Sequence, residues 1–273
     1  MLDIVYIFAI LTSVNRQKDN KLNQLLTNWP PGTVAVQPWL NEQAIYRQLA
    51  DAYCKSGWLE RLGRGAFVRR GDKVDWPGAL YALQTQLGLS IHPGAQTALA
   101  MRGLAHYLML GKNQTVILFG APKEPLPGWF SEGPWQEKFI CVNTGLFENA
   151  GTSGLTQYKR DNYSITISAP ERAMVELIYL FPKYVVAEDL DVAMESMTTL
   201  RPKLVQQLLE SCQSMKVKRY FMWLAEYHQH GWLKKLDVSK INFGSGKRVF
   251  IKGGRLDGKY QITVPLDKNQ EKD

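Results

Sequence analysis

Nine polar side chains between residues 43 and 70 are of the types that recognise duplex DNA: Gln43, Tyr46, Arg47, Gln48, Lys55, Arg61, Arg64, Arg69 and Arg70. Arginine pairs with guanine O6 and N7, and glutamine with adenine; lysine, tyrosine and further arginines hold phosphates. Arg47 faces away from the apolar side of its segment and is the candidate guanine reader, with Gln43 or Gln48 as adenine reader. Tyr46 and Lys55 are better placed for phosphates. Asp51 points the same way as Arg47 and would repel a phosphate, so its expected role is to orient that arginine. Arg64, backed by Arg61, Arg69 and Arg70, has the reach for phosphates or the minor groove.

No other chemistry stands out. The sequence has no Ser/His/Asp or Cys/His constellation, no carboxylate pair and no metal-ligand spacing, so a non-enzymatic protein without cofactor is expected. His228-x-His230 lacks a neighbouring cysteine or carboxylate cluster to complete a metal site. In Gly244-Ser-Gly-Lys-Arg248 the first glycine of a phosphate-binding loop is replaced by Ile241, and Arg248 stands where Ser or Thr is needed. That segment reads instead as a glycine-bounded turn presenting Lys247 and Arg248 to an acidic surface.

The elements that must position these groups follow from the pattern. Leu22, Leu25, Leu26 and Trp29 share one face of a helix that Pro30-Pro31-Gly32 stops, and Thr33–Val36 is β-like. Pro38 suits a first helical turn. After a turn near Ala44-Ile45, a helix is expected over Tyr46–Ser56, with Leu49, Ala52, Tyr53 and Ser56 on one side and Arg47, Ala50, Asp51 and Cys54 on the other. Gly57 ends it. Trp58–Leu62 and Ala66–Arg70 form a hairpin around Gly63-Arg64-Gly65. Helix, turn, helix and basic hairpin in that order describe a winged helix-turn-helix.

Gly71–Asp75 reads as a junction, giving a DNA-binding domain over 1–72 and a larger domain over 73–273. In the latter, helices are expected at Pro77–Leu87, within Pro93–Leu110, at about Val185–Thr198, Pro202–Met215 and Lys218–Gln229, and strands at Leu89–Ile91, Thr115–Gly120, Lys138–Asn143 and Ser164–Ile167. Ser168 caps an apolar helix opened by Pro170 and Glu171. Lys247–Pro265 alternates like a hairpin around Gly253-Gly254. The fold class is α+β: an N-terminal winged helix-turn-helix followed by a mixed α/β domain.

Charge is distributed unevenly along a chain of net charge +8. Residues 1–72 carry 9 Lys+Arg against 6 Asp+Glu, residues 73–198 carry 9 against 12, and residues 199–273 carry 15 against 7. An anionic partner is expected at the two ends rather than in the middle. Three scattered cysteines and an apolar run at Met1–Leu11 too short to span a bilayer point to a cytoplasmic protein. Residues alone leave three readings open: a repressor acting on a protein partner, a regulator with a ligand-sensing C-terminal domain, and a winged-helix nucleic-acid enzyme.

Five stretches bear a resemblance: SGWLERLGRGAF (Ser56–Phe67), TALAMRGLAHYL (Thr97–Leu108), SAPERAMVEL (Ser168–Leu177), MKVKRYFMWLAE (Met215–Glu226) and GSGKRVFIKGGRLDGKYQITVP (Gly244–Pro265). In this order they resemble the AbiEi-type antitoxins of bacterial type IV toxin–antitoxin (abortive infection, phage-defence) systems. The resemblance implies a winged helix that binds double-stranded operator DNA, expected as inverted repeats, and represses its own operon. It implies a C-terminal domain that neutralises, directly or functionally, an AbiEii-type nucleotidyltransferase-like toxin. Candidate toxin-neutralising residues are Glu171, Arg172, Arg219, Lys247 and Arg248; for the first three, intramolecular ion pairing is the competing role. Relatives often have Gly-apolar-Ser where this chain has Ala44-Ile45-Tyr46.

Overall fold

The computed structural model describes residues 21–104, 115–148 and 151–266. The Met1–Leu11 segment and the end of the expected Pro93–Leu110 helical region lie outside them. The chain forms two compact units. One comprises residues 1–90 together with the later segments 125–135 and 158–165; the other holds the remainder.

In the first unit, helix α1 (residues 21–28) sets Leu22, Leu25 and Trp29 into the core. The Trp29 indole N–H donates to Thr33 Oγ1 at 3.0 Å. Strand β1 (Ala35–Val36) leads into α2 (Gln37–Glu42), and α3 (Arg47–Lys55) follows across a four-residue turn. In that turn Ala44 takes a left-handed φ of 57° and Ile45 is fully buried, its N–H donating to the Leu40 carbonyl at 2.8 Å. Gly57, at φ 77°, ends α3: its N–H donates to Cys54 and that of Trp58 reaches back to Tyr53, satisfying two carbonyls the last turn leaves free.

Strands β2 (Leu59–Gly63) and β3 (Ala66–Arg69) pair antiparallel, with Leu59 opposite Arg69 and Gly63 opposite Ala66. Strand β1 joins the other edge of β3, giving the order β1-β3-β2. The unit continues past residue 72, where the junction was expected. Helix α4 (Trp76–Thr85) is N-capped by Asp75, and Gln86 just beyond it accepts from Val36 N–H and donates to Val34 C=O, both at 2.9 Å. The first sheet's free edge is thereby completed by a side chain from outside the expected domain.

Strands β4 (His92–Pro93), β5 (Thr115–Gly120) and β6 (Lys138–Asn143) form a sheet in the second unit. β5 and β6 run parallel in the register Thr115↔Lys138, and β4 is antiparallel to β5. The strand expected at Leu89–Ile91 lies one step later, at His92–Pro93. Helix α5 (Ala95–Met101) follows β4. Between β5 and β6 a short helix, α6 (Gly128–Ser131), belongs to the first unit. A hairpin of β7 (Leu155–Lys159) and β8 (Ser164–Ser168) leads into α7 (Pro170–Leu180).

Nine of the eleven residues of α7 are buried, so it forms the centre of the second core, with α8 (Ala187–Glu195), α9 (Pro202–Ser211) and α10 (Met215–Tyr227) around it. The residue preceding α7 is Ala169, without a side-chain cap; the Ser168 hydroxyl donates instead to Glu176 at 2.7 Å. The C-terminal hairpin is β9 (Arg255–Asp257) with β10 (Ile262–Val264). It therefore turns after Asp257 rather than at Gly253-Gly254. Gly254 is fixed for another reason: a Cβ there would fall 2.1 Å from the Val264 carbonyl oxygen.

Candidate nucleic-acid interface

Helix α3 buries Ala50 and Tyr53 and half-buries Leu49 and Cys54, while Ala52 and Ser56 are exposed. The helix is thus rotated from the expected arrangement: Ala50 lies inward, and Ala52 and Ser56 outward. Because Ile45 anchors the turn, the inward stripe steps through 45, 49, 50 and 53. The outward face carries Arg47, Gln48, Ala52 and Lys55, all exposed, with Tyr46 at the helix start 62% exposed. Gln43 is half-buried behind this face, within reach of the Asn28 amide.

The hairpin brings Arg61 and Arg64 towards Arg47. A cleft lined by Gln37, Arg47, Arg61, Arg64, Gly65 and Phe67 opens between the start of α3 and the hairpin. Gln37 was not among the expected site residues. Its amide donates to Asn41 Oδ1 at 2.9 Å and to the Ile45 carbonyl at 3.1 Å, tying α2 to the turn before α3. Asp51 forms an ion pair with Arg61, not with Arg47, and the Arg61 guanidinium lies 5.4 Å from the Phe67 ring centroid. Among the described residues Arg47 and Arg64 have no carboxylate partner, and both are exposed. The cleft is therefore lined by three guanidinium groups, two of them uncompensated.

Arg70 is exposed and sits 3.9 Å from Glu60. Arg69 points the other way: its Nη2 donates to the Leu26 carbonyl at 2.8 Å and its guanidinium lies over Trp29 at 5.3 Å. It fastens the hairpin to α1 and is not part of the basic surface. On the far flank of the hairpin, a Cβ on Gly63 would come within 2.8 Å of the Trp129 Cβ. Segment 125–135 thus lies hard against β2, with Phe130 fully buried and the Trp135 indole donating to the Phe130 carbonyl. Sixty-odd residues of intervening chain hide that contact from sequence reasoning.

The C-terminal candidates divide by burial. Glu171 is 3% exposed and accepts from the Arg201 backbone N–H, Nε and Nη2 at 2.8–3.0 Å. Burial pushes its carboxyl up, but the Arg201 hydrogen bonds outweigh burial and hold it below the ordinary value of 4.5. Arg172 pairs with Glu176, one turn on, at 2.7 Å, donates to the Ser153 carbonyl and stacks on Phe147 at 4.5 Å. Glu176 also accepts from Ser168 and the Ala95 N–H and lies 3.3 Å from His92 Nε2.

Arg219, also buried, donates to the carbonyls of Phe243, Gly244, Gly246 and Gln261. It moulds the loop whose outer side carries Lys247 and Arg248, both exposed. The structure thus assigns interior roles to Glu171, Arg172 and Arg219 and leaves Lys247 and Arg248 available to a partner. His228 lies 2.9 Å from Asp191 and His230 2.7 Å from the Met194 carbonyl. Among the described residues no group of three His, Cys, Asp or Glu is placed to hold a metal, and no helix is long and apolar enough to cross a membrane.

Comparison with known proteins places these features. Residues 113–265 match the family model described as transcriptional regulator, AbiEi antitoxin, type IV toxin–antitoxin system, and residues 18–110 match the N-terminal domain of the same family. The chain belongs to the AbiEi antitoxin family. It is a transcriptional regulator of a type IV toxin–antitoxin system, in a family that is not enzymatic. A crystal structure of the RV2827C protein from Mycobacterium tuberculosis shares the fold, with a TM-score of 0.56 and 12% identity over 88% of each chain. No curated protein matches the sequence.

Proposed function

We propose that this AbiEi family member represses its own operon by holding operator DNA between the outward face of α3 and the β2–β3 hairpin. The observation that carries the reading is the convergence of Arg47, Arg61 and Arg64 on one cleft at the start of α3. A helix presented with free guanidinium and amide groups beside a basic hairpin suits a major groove and its flanking phosphates. Arg47 and Gln48 read bases; Tyr46, Lys55, Arg64 and Arg70 hold the backbone. Fluorescence anisotropy with the DNA upstream of the operon tests it. Arg47→Ala should weaken binding to that DNA by about tenfold or more while leaving random duplex less affected. Equal loss on both would make Arg47 a phosphate contact, and wild-type protein that does not distinguish the two DNAs would overturn the reading.

The same proposal assigns toxin neutralisation to the second unit, through the loop that Arg219 organises and that presents Lys247 and Arg248. Co-expression with the neighbouring toxin gene tests it by growth. Charge reversal at both positions should abolish rescue while the purified variant keeps its melting temperature. Full rescue by that variant would remove the loop from the mechanism.

A further inference from the structure

A second concave site lies in the other unit, and none of its lining residues is assigned above to DNA or toxin contact. Helices α8 and α10 form the walls of a cavity of about 320 Å³, which Pro265 and Leu266 also line. From α10, Tyr220, Trp223 and Tyr227 line it at helical spacing. Their rings form a ladder, with centroids 5.3 Å apart for Tyr220–Trp223 and 5.7 Å for Trp223–Tyr227, the latter pair stacked at 23°. Tyr227 is 58% exposed, so the outermost ring face is open. From α8 come two carboxylates, Glu188 and Asp191.

The carboxylates decide what can enter. Glu188 is exposed and has no ion-pair partner among the described residues. Asp191 uses Oδ1 on His228 at 2.9 Å, and its side chain remains 45% exposed. Burial, with these two carboxylates adding to it, holds the Tyr220 hydroxyl protonated well above its usual range, so the wall offers a neutral phenol beside negative charge. An anion would be repelled. A neutral apolar guest would strip water from the carboxylates and give nothing back. A cation with a planar or aliphatic body compensates them and also finds the exposed, electron-rich ring of Tyr227 at the end of the ladder. The volume suits one such group.

We propose that the α8–α10 cavity is a binding site for an organic cation of the guanidinium or amine class, held between the carboxylates of Glu188 and Asp191 and the exposed ring of Tyr227. This goes beyond operator binding and toxin neutralisation and does not depend on either. The cation can be a free small molecule or an arginine side chain of a polypeptide, and two probes separate those sources. The full chain is titrated by calorimetry, and by protein NMR of the tryptophan indoles, with agmatine and separately with an arginine-centred, uncharged-flank hexapeptide. Saturable binding of agmatine supports a small-molecule site; saturable binding of the peptide alone supports an arginine presented by a polypeptide.

Glu188→Gln with Asp191→Asn should weaken whichever probe binds by about tenfold, and Tyr227→Leu by a smaller factor. Acetate and benzamide, the anionic and the neutral controls, should give no saturable signal. Because Glu188 and Tyr227 are exposed and an asparagine oxygen at position 191 can still accept from His228, these variants should keep the wild-type melting temperature, which is measured alongside. Two results overturn the proposal: neither probe binds, or binding survives the carboxylate variants unchanged.

Discussion

Asp51 and Ala44 show how single residues set the properties of the proposed DNA-facing surface. Asp51 neutralises Arg61, so the wild-type cleft presents fewer free charges than its three arginines suggest. Asp51→Asn should release Arg61 to a phosphate, tightening binding several-fold at low salt and steepening the slope of log K against log salt by about 0.9. An unchanged slope would show that Arg61 does not face the backbone. Ala44 holds a left-handed φ of 57°, a conformation that costs a residue with a Cβ about 1–2 kcal/mol. Ala44→Gly relieves that strain but loosens the unfolded chain, so a net gain of about 0.5–1 kcal/mol is expected in urea unfolding, with operator affinity unchanged. Glu171 supplies a pH-dependent term. Its folded pKa lies below 4.5, so its contribution is complete above that value and is lost as pH falls through the folded pKa. Glu171→Gln should therefore lower stability at neutral pH, and the gap to wild type should close under acid. A constant gap from pH 7 to pH 3 would mean that Arg201 gains nothing from the charge.

Helices and strands were legible where a local rule dominates. The α3 terminus follows from Gly57, the β2–β3 hairpin from its paired glycines, β5 and β6 from unbroken apolar runs, and α7 from its proline start and strongly apolar composition. What escaped is long-range. The rotation of α3 depends on Ile45 plugging the core, which no helical wheel drawn from residue 46 can include. Ser168 left its expected cap because a buried carboxylate on the next helix accepts its hydroxyl. Strand β7, LTQYK, has no apolar alternation and is a strand only because β8 pairs with it. Arg69 looks like its basic neighbours in sequence, but the pleat turns it towards Trp29, opposite in sense to Arg70. The contact between Gly63 and Trp129 has an element-scale consequence. Trp129 backs the very strand whose register shifts between Arg61 and Gly63. Trp129→Ala should leave the fold intact, lower operator affinity about three- to tenfold, and erase protection of the hairpin-contacted phosphates in a footprint while α3 contacts persist. Trp129→Phe should restore most of the loss. An unaltered footprint would reduce Trp129 to packing alone.

At the scale of the whole molecule, the first unit, to which we assign operator binding, is not a contiguous piece of chain. The polypeptide passes between the two units after residues 90, 124, 135, 157 and 165. The returning segments bring the first unit real substance. Phe130 is fully buried there, Arg160 pairs with Asp75, the residue that caps α4, and Tyr163 packs against Tyr81 at 5.5 Å. Gly78 permits this: a Cβ at that position would meet the Gly32 carbonyl oxygen at 2.0 Å and lies 3.3 Å from the Tyr163 hydroxyl. A fragment cut after residue 72 loses α4 and Gln86, and one cut after residue 90 still loses every returning segment. Removing a buried phenylalanine alone costs about 3–5 kcal/mol. That is a large share of the 5–15 kcal/mol that holds a typical domain together. Fragment 1–90 should therefore unfold at a markedly lower urea concentration than the same unit in the full chain, and bind operator DNA weakly even below that midpoint. Restoring residues 125–135 through a glycine-rich linker should recover part of both. If fragment 1–90 matches the full chain in midpoint and in affinity, the returning segments are passengers and the unit ends at Ser90. If it fails in both and the linked segment rescues it, residues 125–135 complete the unit, and deleting them from the full chain would release repression without touching α3.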